Sequence, residues 1–235
     1  MASAQRFDPA TNTWLATAPL PSPRHLHTAT LLPDGRVLVV GGQRNTTVLD
    51  TVEIYAPDTD TWTAGAPLAT TRTGHRAVLL QDGRVLVAGG RTGGGVELDS
   101  AELYNPTNDT WAPAGNLQGA RDEPTLTLLP SGQVLAVGGL AAFTKLASAE
   151  LYTPGTNTWT SVGALTQPRW LHSATLMPSG KVLVAGGITT TDDYANTAEV
   201  YDPALRAWTN VEDPAAAGGL ITVSLPSGEV LLAGG

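Results

Sequence analysis

Five times along the chain an apolar run ends on two glycines. VLVV precedes Gly41-Gly42, VLVA Gly89-Gly90, VLAV Gly138-Gly139, VLVA Gly186-Gly187 and VLLA Gly234-Gly235. The spacings are 48, 49, 48 and 48 residues. So short and nearly continuous an apolar run reads as a strand buried on both faces. Before the first run, across the turn Pro33-Asp34-Gly35, lies the strand-like segment 26–32 (LHTATLL). After it comes a variable stretch, 43–50, and then 51–55 (TVEIY), which alternates as a half-buried strand does. A second turn at 57–60 leads into Thr61-Trp62-Thr63. The pattern predicts four strands per repeat, named a, b, c and d, joined antiparallel by tight turns.

Two aromatic columns repeat in step with the glycines. Tryptophan stands at Trp14, Trp62, Trp111, Trp159 and Trp208, with Phe7, Tyr55, Tyr104, Tyr152 and Tyr201 seven residues before each. A four-stranded sheet every 48 residues predicts a β-propeller blade, whose two apolar faces are buried only by stacking on neighbours around an axis. The fold class is therefore all-β, in one domain. Its blades are expected at about 24–64, 72–113, 121–161, 169–211, and 217–235 together with 3–16. The last blade takes strands a and b from the C-terminal end and c and d from the N-terminal end. Such sharing predicts a closed, monomeric five-bladed ring without exposed strand edges. The ring is natural, engineered or trimmed from a larger one.

Composition narrows the chemistry. The 235 residues include 26 glycines and 17 prolines, and only 14% are charged, which disfavours long exposed helices. With no cysteine, disulfides, thiolate catalysis and cysteine-ligated metals are excluded. A net charge of −8 argues against nucleic acid as a partner. No apolar run approaches the 18 residues of a membrane span, and Met1 leads into Ala-Ser-Ala-Gln-Arg-Phe without the apolar core of a secretory signal.

VLVVGG and its four counterparts, the two aromatic columns, and Pro23-Arg24 and Pro168-Arg169 before strand a resemble the kelch family. The flavour of LLPDGRVLVVGG is similar to bacterial kelch domains of the galactose-oxidase-like superfamily. The resemblance implies a propeller, usually of six or seven blades, so the five units here depart from it. It also raises three enzyme readings. The copper oxidases it resembles need a Tyr–Cys crosslink, which a chain without cysteine lacks. The iron-dependent specifier proteins carry a Glu-x-x-x-Asp-x-x-x-His run that does not occur here. A sialic-acid-mutarotase-like activity on a sugar or small metabolite remains the alternative to a non-catalytic binding scaffold, which is the reading preferred, with no cofactor.

Candidate contacts lie on the face shared by the d–a and b–c connections, because these vary while the a–b turns (Pro33-Asp34-Gly35, Gln81-Asp82-Gly83 and their counterparts) repeat. The d–a junctions align Arg24, Arg72, Arg121 and Arg169, with Ala217 in the fifth unit. These arginines are expected to ring the pore mouth and engage carboxylates or phosphates, or else to tie neighbouring blades together. Three residues on stand His27, His75, Pro124, His172 and Leu220, whose histidines read first as blade ties and only remotely as a metal ring. The position after each arginine reads His25, Thr73, Asp122, Trp170 and Gly218. Trp170 is the tryptophan outside the structural column, and beside Arg169 it pairs an aromatic plane with a charge. Arg24, Arg72, Arg121, Arg169, Trp170, His25 and Asp122 are thus the expected ligand contacts. The ligand is expected to be a protein, a peptide or a carbohydrate. The b–c loops add Arg44, Arg91, Phe143, Lys145, Asp192, Asp193 and Tyr194.

Overall fold

The computed structural model describes residues 2–190, 193–195, 197–212 and 221–234. All its regular structure is strand. Four units each form a four-stranded antiparallel sheet in the order a-b-c-d. Unit 1 runs Thr28–Leu31, Val37–Val40, Val52–Ala56 and Thr61–Gly65. Unit 2 runs Arg76–Leu79, Val85–Ala88, Ser100–Asn105 and Thr110–Asn116. Unit 3 runs Thr125–Leu128, Val134–Val137, Ser148–Thr153 and Thr158–Ala164. Unit 4 runs Ser173–Leu176, Val182–Ala185, Thr197–Asp202 and Ala207–Glu212.

The unbroken apolar character of strand b follows from where its two faces go. In unit 1, Leu38 and Val40 join Val52 and Ile54 in a cluster with Val85, Val87 and Tyr104 of unit 2. In unit 2 the alternate residues, Leu86 and Ala88, turn the other way and pack on Val134, Ala136 and Tyr152 of unit 3. In unit 3 the alternate residues are Leu135 and Val137, which face Val182, Val184 and Tyr201 of unit 4. The sheets of units 2 and 3 are therefore each sandwiched between two others, and both parities must be apolar.

Side chains staple these junctions, and the one between unit 1 and the segment that precedes it. Trp62 Nε1 donates to the Ala18 carbonyl at 2.9 Å, Trp111 to Ala66 at 2.8 Å, Trp159 to Ala114 at 3.2 Å and Trp208 to Val162 at 3.2 Å. Each tryptophan also lies against the aromatic of its own strand c, with ring centroids 4.9 Å apart for Tyr55 and Trp62. The double glycine has a steric cause. Gly41 and Gly42 sit at φ of +57° and +90°, and a Cβ on either would lie 2.7 Å from a main-chain oxygen, that of Arg72 or of His25. Only glycine lets strand b end against both its own d–a junction and the next one.

The chain ends differ from expectation. Gln5–Asp8 and Thr13–Ala16 form one two-stranded sheet, and Ile221–Ser224 and Val230–Ala233 form another. Among the described residues no ladder joins the two. The C-terminal hairpin stays on unit 4, where the Thr175 hydroxyl donates to the Thr222 carbonyl at 3.1 Å. The N-terminal hairpin stays on unit 1, where Arg6 donates to the Pro57 carbonyl at 3.0 Å. Strands a of successive units pack on one another through units 1 to 4 and on to Ile221–Ser224, but Ile221–Ser224 does not pack in this way on Thr28–Leu31. The blade expected to be shared by the two chain ends is therefore not assembled among the described residues. Apolar side chains at both ends are open to solvent: Trp14 is 66% and Leu31 of unit 1 63% exposed at one end, and Ile221 68% at the other. The fifth junction of the sequence, 212–219, falls outside the described residues apart from the main chain of Glu212, as do Asp192 and Gly235.

Candidate functional site

The d–a and b–c connections do share one face. The residue after each arginine exchanges main-chain hydrogen bonds with the first residue of the b–c loop, pairing His25 with Gln43, Thr73 with Arg91, Asp122 with Leu140 and Trp170 with Ile188. The b–c loops also touch one another around this face. The Val48 side chain packs 3.8 Å from where a Cβ on Gly93 would be, and the Ala142 N–H donates to Glu97 Oε1 at 3.2 Å.

The arginine column does not ring the mouth. Arg72, Arg121 and Arg169 have no exposed surface and Arg24 is buried as well. Each guanidinium runs inward along its own sheet. Arg72 Nη1 donates to the carbonyls of Gly89 and Ser100 at 3.0 and 3.1 Å, and Nη2 reaches Glu102 at 2.7 Å. Arg121 repeats this with Gly138, Ser148 and Glu150, Arg169 with Gly186, Thr197 and Glu199, and Arg24 with Gly41, Thr51 and Glu53. Burial pulls the Arg72 and Arg121 guanidinium groups downward, and the attraction of Glu102 and Glu150 opposes it. The expectation of free guanidinium forks is corrected for a physical reason: main-chain carbonyls at the end of strand b and the start of strand c, together with a buried carboxylate, engage both Nη groups of each arginine inside the sheet.

The glutamates Glu53, Glu102, Glu150 and Glu199 are the partners that the sequence reading left out. They recur two residues before each tyrosine, a signal as regular as the arginines. Their second task is to accept main-chain N–H groups of the d–a segment, at Ala69, Gln118 and Thr166. In unit 1 that position is Pro21, which has no N–H to give. Burial accordingly pushes the Glu53 carboxyl upward, with Arg24 pulling the other way.

Two histidines of the column, His75 and His172, are blade ties, whereas His27 is exposed. His75 Nε2 meets Thr28 Oγ1 of the preceding unit at 3.0 Å, and His172 meets Thr125 at 3.1 Å. Burial, reinforced by Arg72 and Arg169, holds both rings neutral, with pKa values pushed down to about 3.

What remains on the face is uneven between units. Asp122 is buried, and its Oδ2 lies 3.3 Å from the half-exposed Arg91 guanidinium. Burial raises this carboxyl to about 6, partly offset by Arg91. Its Oδ1 occupies the space a side chain on Gly74 would take. That oxygen, Thr73 Oγ1 and Trp170 Nε1 are enclosed without a hydrogen-bond partner. His25 is exposed, and Trp170 half-buried. Beyond them the b–c loops carry Val96, Phe143 and Tyr194, which are 62%, 93% and 56% exposed.

No curated protein matches the chain. The kelch motif matches twice, over residues 24–69 and 72–118, which are units 1 and 2 with the arginine that opens each. Units 3 and 4 repeat the same strand order, arginine–glutamate pair and tryptophan staple. Units 1 and 2 are kelch repeats, and units 3 and 4 are built to the same plan.

Proposed function

We propose that this chain is a non-catalytic binding module that engages a protein or peptide through the d–a/b–c face. The observation that carries this reading is the row of exposed apolar side chains Val96, Phe143 and Tyr194 on three successive b–c loops. Loops on a rigid scaffold are the usual carriers of recognition, and aromatic residues are the usual anchors of protein contacts. The a–b turns of the opposite face are polar, with Asp34 and Asp82 paired to Arg36 and Arg84. Binders selected from a phage-displayed random peptide library on the immobilised chain provide the test. They should lose about ten-fold or more in affinity for Val96→Ser/Tyr194→Ser, and none for Asp34→Ser/Asp82→Ser. Binders that respond only to the turn substitutions, or sialic acid and neutral sugars binding with peptides ignored, would refute the reading.

We further infer that the two end hairpins are halves of one blade and that closing them completes a five-bladed ring. A groove of about 680 Å³ lies between the N-terminal hairpin and unit 1, lined by Arg6, Ala29, Leu31, Val37, Val39 and Trp62. It is where strands a and b of the missing half belong. The sequence supports the match. The arginine that each other unit places before strand a is Ala217 at this joint, and the glutamate of strand c is Gln5. A lone buried charge is costly, and here both members of the pair are neutral together. The b–c register of unit 1, which sets Val39 opposite Glu53, places Leu232 opposite Gln5. Since the chain has no cysteine, Gln5→Cys/Leu232→Cys should oxidise to a disulfide within the monomer. Crosslinked dimers alone, or no disulfide, would rule out closure within one chain.

A further inference from the structure

The b–c connection of unit 3 is a small hairpin, Leu140–Ala141 against Thr144–Lys145, closed by Ala142 and Phe143. Both closing residues have left-handed φ, 47° and 62°. A two-residue loop with both φ positive is the signature of a type I′ turn, which favours Asn-Gly because a Cβ is strained there. For a bulky residue such a φ is an outlier. Among the described residues these are the only two consecutive non-glycine positions with positive φ. The corresponding hairpin of unit 1, Gln43–Arg44 against Thr47–Val48, turns through Asn45 at 53° and Thr46, whose φ is not positive. Unit 3 therefore holds an alanine and a phenylalanine where the turn itself asks for asparagine and glycine.

The fold makes no use of the ring placed there. At 93% exposure Phe143 is the barest large apolar side chain among the described residues. Yet its support is braced. The Ala142 N–H is held by Glu97 of the unit 2 loop, and Leu140 exchanges main-chain hydrogen bonds with Asp122 at 2.7 and 2.8 Å. Strain kept in a braced turn to hold out a bare aromatic ring is the form a pre-organised contact takes. The charges around it add a second constraint. Glu97 and Glu123 stand on this side of the face, and the nearby Arg91 guanidinium is engaged by Asp122.

We propose that Phe143 is the anchor of the binding face: it enters an apolar pocket of a protein partner whose rim carries lysine or arginine opposite Glu97 and Glu123. This inference rests on the binding reading above and names the partner chemistry for it. Two experiments test it. First, Ala142→Asn/Phe143→Gly should relieve the turn and raise the melting temperature, by roughly 2–4 °C for a protein of this size; an unchanged or lower value overturns the strain on which the argument stands. Second, the library-selected peptides should carry apolar residues flanked by lysine or arginine. They should lose at least ten-fold in affinity for Phe143→Ala, and none for Leu205→Ala, whose side chain is 74% exposed on a c–d turn. Peptides weakened by Val96→Ser/Tyr194→Ser but indifferent to Phe143→Ala would overturn the anchor and leave the binding face standing. Peptides sensitive only to Asp34→Ser/Asp82→Ser would overturn both.

Discussion

Replacing Arg121 by alanine should destabilise the protein by about 3–5 kcal/mol, because it strands the Glu150 carboxylate in a site with almost no access to water. The loss is compound. Glu150 keeps its main-chain donor at Gln118 but loses its countercharge, and the carbonyls of Gly138 and Ser148 lose the donor that serves both. A folded domain of this kind has only about 5–15 kcal/mol in hand, so the loss is a large share of the total. Arg121→Met/Glu150→Leu removes both charges and should recover much of the loss, since a well-packed apolar pair is often as good as a buried ion pair. It should not recover all of it, because the Gly138 carbonyl loses its donor, although that of Ser148 keeps the Gly138 N–H. Urea unfolding of the two variants decides the matter. A cost below about 1 kcal/mol for Arg121→Ala would mean that water reaches the carboxylate, and with it that a ligand could reach the arginine.

Arginine was legible in the sequence as a column but not in its role. An Arg at each d–a junction is compatible with a ring of binding groups and with an internal strut, because the recurrence shows only that every unit needs it. The partner decides, and it stands in the sequence as Glu53, Glu102, Glu150 and Glu199. Their separation from the arginines, 29 to 30 residues, is long enough for pairing to depend on how strand c returns past the end of strand b. The four-strand plan of each unit, by contrast, was readable, though the small hairpins within the b–c loops of units 1 and 3 were not. It rests on local rules: turn residues, alternation, and a strand apolar on both parities. The state of the chain ends was not readable. Strand counting shows that two half-blades can make a whole one, but whether they meet depends on the angle at every junction, which no local pattern encodes. The uneven face was seen through its deviations. Asp122 and Trp170 stood out as departures from the repeat, while Phe143 was one b–c loop residue among several, and the structure gives each a different standing: a buried carboxyl beside Arg91, a half-buried ring, and a bare one.

The tryptophan column should give a graded series rather than one value. Trp159 is 6% exposed, packs in the cluster between units 2 and 3, and donates to the Ala114 carbonyl. Truncation to alanine removes that burial and leaves a cavity, which for a core tryptophan costs roughly 3–5 kcal/mol. The lost staple at Ala114 adds to this only modestly, since that carbonyl belongs to a junction already held by packing. Trp14 stands in the same column, pairs with Phe7 at 5.3 Å, and is 66% exposed because nothing stacks on its outer face. With the chain ends apart its truncation should cost about 0.5 kcal/mol or less, the range of surface substitutions; with the ring closed as proposed, the cost should rise toward that of Trp159. Trp170, half-buried and outside the column, should fall between them. The order follows burial and not the repeat, so thermal unfolding of Trp14→Ala, Trp170→Ala and Trp159→Ala separates two ideas that the sequence merges. Should Trp14→Ala prove as costly as Trp159→Ala, its outer face must be covered in solution, and the cover would be the half-blade now lying at the other end of the chain.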